Sequence, residues 1–119
     1  MAFEPEHVFA GLVVTDIDDA TGWYSRLFGR PPDIVPNDHE AMWQLAETAN
    51  LYVLADPVRA GGGVAGVAVG DLDAALAGLA ERGVAVGPTE AVGPFARKAE
   101  VVDPDGNTIA LIEVLARPD

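Results

Sequence analysis

An internal repeat constrains the fold more than any other feature of this sequence. Each half of the chain has an apolar run, Val8–Val14 or Val64–Val69, followed by an acidic segment and then by a segment with helical periodicity. Repetition at a fixed offset indicates two copies of one supersecondary unit. The positions that match between the halves at one constant offset are Asp16 with Asp71, Asp18 with Asp73, and Ala20 with Ala75.

Local signals define where each repeated helix begins and ends. Asp16 and Asp71 are predicted N-caps, and the acidic residues behind them suit the positive end of the helix dipole. Apolar residues then recur at steps of three and four, which is one helical face. Gly29 fits a C-terminal cap before Pro31–Pro32, and Gly83 is predicted to end the second helix.

Three strand-like segments follow each helix, separated by turn residues. Each half is therefore predicted to fold as strand–helix–strand–strand–strand, within one α+β domain over residues 1–119. Module one covers 1–56, a glycine-rich linker covers 57–63, and module two covers 64–119. The predicted strands after the helices are Asp33–Pro36, Ala41–Leu45, Asn50–Ala55, Val84–Gly87, Phe95–Val102 and Asn107–Leu115.

Composition excludes several classes of function. The 119 residues include 19 acidic and 7 basic ones and no cysteine, for a formal net charge of −12. A chain this acidic repels phosphate backbones and anionic lipid, so neither nucleic acid nor a membrane is an expected partner. Absent cysteines exclude disulfides, thiolate nucleophiles and cysteine-ligated metals. With no signal peptide or apolar run of membrane-spanning length, the expected location is cytoplasmic.

The segment Gly61–Gly66 matches the pattern G-x-G-x-x-G of dinucleotide-binding loops. Such a loop must open a helix, because the helix N-terminus binds the pyrophosphate. Here a strand is predicted to follow, so the glycines are interpreted as part of the linker.

Two motifs, added to the doubled βαβββ order, give the chain a family resemblance. The segments Val14–Asp16 and Trp23–Gly29 and the turn Asp103–Asn107 resemble the vicinal oxygen chelate superfamily, which includes glyoxalase I, extradiol dioxygenases and bleomycin resistance proteins. The resemblance covers nearly the whole chain. It implies two modules whose strands curve into a half-barrel sheet around a cleft, and a homodimer. It does not specify the reaction, because one fold hosts many functions.

The same resemblance places metal ligands, usually His, Gln or Glu, on the first and fourth strands of each module. The corresponding positions here are Phe9, Val64 and Ala110, with the fourth near Tyr52. Divalent metals need nitrogen or oxygen donors, and a neutral tyrosine is a poor one. We therefore expect a metal-free member with no cofactor.

His7 is the main objection to a metal-free site, because it lies two residues before Phe9 and points to the same side of a strand. A shifted alignment would make it a ligand. The preferred interpretation is a frayed N-terminal histidine beside Glu4 and Glu6. His39 is interpreted as a solvated loop residue, and Glu113 as a carboxylate on the surface or the helix side.

Strand alternation from Phe9 predicts an apolar ligand-binding pocket with small residues as its floor and aromatic residues as its walls. Alternatives left open are that the aromatic side chains fill the cleft as core, and that Arg97 lies at the surface. The predicted pocket residues are Phe9, Gly11, Trp43, Tyr52, Leu54, Val64, Gly66, Phe95, Arg97, Ala110 and Ile112.

The expected function is metal-independent binding of a small molecule. A bleomycin-resistance-like module would sequester an apolar or cationic aromatic compound, as in antibiotic resistance, and the acidic charge would speed encounter with a cation. The alternative is a divalent-metal lyase, epimerase or dioxygenase of the glyoxalase type, which would need His7 and further carboxylates. A metal-independent enzyme in the same cleft is left open.

Overall fold

Eight strands and two helices form among residues 3–115, the part of the chain that this computed structural model describes. The repeated order strand–helix–strand–strand–strand is confirmed in both halves. The elements are β1 (Val8–Val14), α1 (Ile17–Phe28), β2 (Ile34–Asn37), β3 (Glu40–Ala46), β4 (Ala49–Ala55), β5 (Val64–Ala68), α2 (Leu72–Glu81), β6 (Glu90–Val92), β7 (Ala96–Val102) and β8 (Thr108–Val114).

The chain divides into two compact units, with the boundary between Gly61 and Gly62. The first unit has one sheet of strand order β1-β4-β3-β2, and the second has one of order β5-β8-β7-β6. In each sheet the first strand pairs in parallel with the last, and the remaining pairs are antiparallel. Neither sheet closes on itself, and the predicted α+β class is confirmed. No helix within residues 3–115 has the length and apolar character needed to span a membrane.

The N-terminal caps form as the acidic residues predict. Asp16 Oδ1 accepts a hydrogen bond from the Asp19 N–H at 2.9 Å, and Asp71 Oδ1 accepts one from the Ala74 N–H at 3.0 Å. Gly29 ends α1 in a left-handed conformation with φ 76°, which glycine adopts without steric cost. In α2 the helix itself ends at Glu81, and the left-handed residue is Gly83 two positions later.

One predicted strand is wrong. The segment Val84–Gly87 is not a strand, and the edge strand β6 forms later, at Glu90–Val92. The Gly87 N–H does donate to Glu100 O at 2.9 Å, but the next residue, Pro88, has no N–H with which to continue the ladder. The other five predicted strands after the helices lie within one residue of the observed ones.

Alternate strand residues build a core between each sheet and its helix. In the first unit Trp43 is fully buried, its ring centroid lies 6.1 Å from that of Tyr24 and 5.5 Å from that of Phe28, and its Nε1 donates to Arg30 O at 3.0 Å. The remaining strand residues buried on this side are Leu12, Val14, Ala41, Leu51 and Val53. The corresponding strand residues in the second unit are Ala65, Ala99, Val101, Ile109 and Leu111.

A buried polar network fastens the turn before β8 to the start of β5. Asp103 accepts hydrogen bonds from the Asn107 main-chain N–H and side-chain amide, both at 2.8 Å. Asn107 Oδ1 in turn accepts from the Gly63 N–H at 2.9 Å, and Asn107 is fully buried. The turn motif that carries the family resemblance therefore holds together the parallel strand pair.

Replacing Asn107 tests this network. Asn107→Ala leaves the Gly63 N–H and one Asp103 oxygen without these partners, and we expect a loss of about 2–4 kcal/mol in the free energy of unfolding, measured by urea denaturation. The matched control is Asn37→Ala at the exposed end of β2, for which we expect a loss of less than about 1 kcal/mol. Equal effects of the two substitutions would contradict the structural role given to Asn107.

Candidate functional site

The first sheet has an open face on the side away from α1. Residues that pair across parallel strands point to the same side, and β1 pairs with β4 as Phe9 with Asn50, Gly11 with Tyr52 and Val13 with Leu54. The alternate residues Leu12 and Leu51 are in the core. Four predicted pocket residues therefore share one face of the first unit, namely Phe9, Gly11, Tyr52 and Leu54.

The Tyr52 ring lies directly over Gly11. A Cβ atom on Gly11 would sit 2.5 Å from the Tyr52 hydroxyl oxygen and 2.6 Å from a ring carbon, which is closer than real contacts allow. Gly11 was expected to leave space for a ligand, but the chain's own tyrosine takes that space. The tyrosine remains half-buried, so part of its ring faces outward.

His7 and Phe9 form a stacked pair at the start of β1. Their ring centroids are 4.5 Å apart with an interplanar angle of 30°, and His7 Nε2 donates to Asn50 Oδ1 at 2.6 Å. The Phe9 side chain is 57% exposed, whereas Asn50 is only 7% exposed. The interpretation of His7 as a frayed residue is therefore wrong, because it is fixed by a partner 43 residues away in the sequence.

The open face of the second sheet has smaller side chains at the corresponding places. Gly66 pairs with Ala110 and Ala68 pairs with Ile112, so the predicted residues Val64, Gly66, Ala110 and Ile112 share this face. A Cβ on Gly66 would meet only Ile112 Cδ1, at an ordinary 3.5 Å. Among the described residues no ring lies within 4 Å of that Cβ position, in contrast to Gly11.

Two predicted pocket residues belong to the opposite faces. Trp43 pairs with Leu51 and lies in the core against α1, so its assignment to the pocket is wrong. Arg97 pairs with Glu113 on the side of α2, so its assignment to the pocket is also wrong. In both cases the large side chain has its best partners on the helix side. Phe95 lies just before β7 and two residues before Arg97. Strand alternation therefore gives it the same side as Arg97 and not the open face.

Arg97 and Glu113 form an ion-pair cluster at the start of α2. Arg97 Nε donates to Glu113 Oε2 at 3.3 Å, and its Nη2 donates to Asp73 Oδ2 at 3.2 Å. Glu113 Oε1 also accepts from the Leu72 N–H at 2.6 Å, so this carboxylate caps the helix. The Leu72 N–H and then Arg97 hold the pKa of Glu113 below its usual range. The hydrogen bonds to Glu113 and then Asp73 raise the pKa of Arg97.

The residues at the metal positions of the resembled family do not fit a metal ion. Phe9 and Tyr52 lie on the open face of the first unit, and Val64 and Ala110 lie on that of the second. Three of the four side chains are hydrocarbons, which carry no donor atom. Within residues 3–115 no group of three or more His, Cys, Asp or Glu side chains could hold a metal.

Comparison with known proteins settles the family. The profile of the Glyoxalase/Bleomycin resistance protein/Dioxygenase superfamily matches residues 5–111 of this chain. The chain belongs to this superfamily. No match was found among curated proteins.

Solved structures support the same assignment. A glyoxalase/bleomycin resistance protein from Catenulispora acidiphila is 42% identical, with a TM-score of 0.85 over 91% of this chain and 97% of that one. The antibiotic-binding protein TnmS3 from Streptomyces sp. CB03234 is 26% identical, with a TM-score of 0.75 over 96% and 98%. A bleomycin-binding protein complexed with bleomycin is 20% identical, with a TM-score of 0.75 over 90% and 97%, which shows the fold alone.

Asn50 lies on the same open face as Tyr52, although it was not among the predicted pocket residues. It precedes the predicted pocket residue Tyr52 by two positions, and strand alternation alone places it on the same face. A polar side chain on an otherwise apolar face was the available signal, and its pairing with His7 was not visible in the sequence.

The contrast between the two glycines generates a stability prediction. Gly11→Ala forces the Tyr52 ring from its position, and we expect a loss of about 1–3 kcal/mol of stability. Gly66→Ala, the matched change in the second unit, meets no clash, and we expect a gain of about 0.5–1 kcal/mol because alanine loses less backbone entropy. Thermal denaturation measures both. In a Tyr52→Ala background the loss at Gly11 should disappear, and its persistence would contradict the contact described.

The cap on α2 generates a pH prediction. Because folding lowers the pKa of Glu113, its stabilising effect is present above the ordinary glutamate pKa of about 4.3 and is lost as the pH falls through the folded-state value. Glu113→Gln should therefore lower the urea midpoint more at about pH 7 than at about pH 3. The control Glu100→Gln, at an exposed position, should change neither midpoint. A pH-independent difference for Glu113→Gln would contradict the ionic role.

Proposed function

We propose that this protein binds a small apolar or cationic aromatic molecule, without a metal ion, on the open face of the first sheet. The observation that carries the proposal is the exposed Phe9 ring, which is stacked on His7 and lies on the same face as Tyr52. Large apolar side chains normally leave water on folding, and a fixed, exposed aromatic ring offers a ready stacking surface.

The comparisons and the net charge support this proposal. TnmS3 is described as an antibiotic-binding protein and is 26% identical over 96% of this chain. The net charge of −12 favours a neutral or cationic ligand over an anionic one, because it raises the local concentration of cations at the surface. Sequestration of such a compound would protect a cell from it.

The donor set supports binding without a metal. The four positions at which metal-using relatives would carry ligands hold Phe9, Tyr52, Val64 and Ala110. The alternative, a divalent-metal lyase, epimerase or dioxygenase, would have to use His7, whose Nε2 is already bonded to Asn50. No observation favours that alternative. Elemental analysis of protein purified without chelators distinguishes the two, and stoichiometric nickel, zinc, manganese or iron would overturn metal independence.

We further propose a cytoplasmic location, and assembly as a homodimer, which is the one of the two that the family resemblance implies. Sedimentation equilibrium tests the assembly directly. A monomer at all concentrations would remove the dimer from the proposal without affecting the ligand site on one unit.

Titration calorimetry tests the ligand class. Bleomycin and neutral aromatic antibiotics are titrated into chelator-treated protein, and we expect binding by at least one of them. For that compound Phe9→Ala should weaken binding about tenfold, because stacking and burial on the ring are lost. The matched control is Phe3→Ala, since Phe3 is 92% exposed and outside the sheet.

Two results of the calorimetry would contradict the proposed ligand site. Absence of binding to every compound at millimolar concentration would overturn the sequestration proposal. Equal weakening by Phe9→Ala and Phe3→Ala would move the site away from the open face of the first sheet.

A further inference from the structure

Asn50 is the one carboxamide residue of β4, and it is buried although it lies on the open face of the sheet. Its residue exposure is 7%, yet it lies directly across from Phe9 in the parallel strand pair. Its Oδ1 accepts from His7 Nε2 at 2.6 Å, which orients the amide plane. The side-chain oxygen is therefore fully explained by the fold.

The nitrogen of the same amide is not explained by the fold. Among the residues that the structure describes, Asn50 Nδ2 has no protein partner. None of the buried side-chain nitrogen or oxygen atoms in that part of the chain lacks a hydrogen bond, so this nitrogen must reach the surface. A largely buried donor with a fixed orientation and an exposed tip is suited to a ligand atom, because it loses little freedom when it binds.

The surroundings of this nitrogen restrict what the ligand can be. Neighbouring strands are about 4.8 Å apart, so a planar ring stacked on Phe9 brings its substituents over Asn50. An amide N–H needs an acceptor oxygen or nitrogen on that ring. The net charge of −12 disfavours a carboxylate in this role.

We infer that Asn50 is a specificity-determining residue of the first sheet, and that its Nδ2 donates to an uncharged acceptor on a planar aromatic ligand, of which an aromatic carboxamide is the simplest example. The inference rests on the proposed function, because it uses the same face and the same Phe9 ring. It adds a chemical requirement to that function, since an aromatic compound without an acceptor would leave the Asn50 donor unpaired.

The test uses the full chain, labelled uniformly with ¹⁵N, so that backbone and side-chain amides are observed together. The sequence has three asparagines, and their side-chain amides report separately on the site, on the exposed end of β2 (Asn37) and on the buried network (Asn107). The probes are benzamide, benzoate and benzylammonium, which share one ring and differ in acceptor and charge. We expect benzamide to move the Asn50 side-chain resonances and to leave those of Asn37 and Asn107 in place.

A substitution provides the affinity readout. Asn50→Asp keeps the shape of the side chain and removes its N–H donors, so we expect benzamide to bind about tenfold more weakly. Benzylammonium affinity should not fall, because that probe has no acceptor. Benzoate should bind the wild type about tenfold more weakly than benzamide does. The matched control is Asn37→Asp, which adds the same charge at an exposed position and should leave benzamide affinity unchanged.

The results that would overturn the inference differ from those that would overturn the proposed function. If benzamide shifts the backbone signals of Phe9 and Tyr52 but not the Asn50 amide, or binds Asn50→Asp as tightly as wild type, the specificity role is wrong and the binding face stands. If neither the antibiotics nor any of the three probes perturbs Phe9 and Tyr52, both are wrong. The resonances of the wild-type protein decide the matter even if Asn50→Asp does not fold.

Discussion

Parallel pairing between the first and last strands of each unit sets the positions of the helix and of the other two strands. A parallel pair requires a crossover, and in each unit the helix supplies it and covers one side of the sheet. One face of each sheet then packs against the helix and forms the core, and the other face is left open. The buried Asn107 side chain holds the second of these pairs at its start, through the Gly63 N–H. A candidate ligand face exists because each helix covers only one side.

The two units have the same backbone topology and differ in the side chains on their open faces. Gly11 pairs with Tyr52 in the first sheet, and Gly66 pairs with Ala110 at the corresponding place in the second. The tyrosine ring covers the first glycine, whereas only an isoleucine methyl group approaches the position of a Cβ on the second. The aromatic rings of Phe9 and Tyr52 and the side-chain amide of Asn50 thus lie on the open face of the first sheet.

Local signals predicted the helices well because their determinants lie within a few residues. The cap formed by Asp16 and the left-handed Gly29 need no distant partner. The edge strand of the second sheet was predicted at Val84–Gly87 and forms instead at Glu90–Val92. Pairing with β7, and not local hydrophobicity, decides where this strand begins. Trp43 and Arg97 were assigned to the wrong faces for a related reason, since each side chain points to the partners that satisfy it, an aromatic core and two carboxylates respectively.

The amino-acid sequence was enough to predict the doubled βαβββ order, the helix ends, the turn before β8 and the hydrocarbon side chains at three of the family's four ligand positions. These depend on residue type and short spacing, which the chain carries locally. The hydrogen bond from His7 to Asn50 and the position of the Tyr52 ring over Gly11 became visible in the folded structure alone, because each joins residues about forty positions apart. Such contacts depend on strand register, because a shift of one residue turns every side chain to the other face.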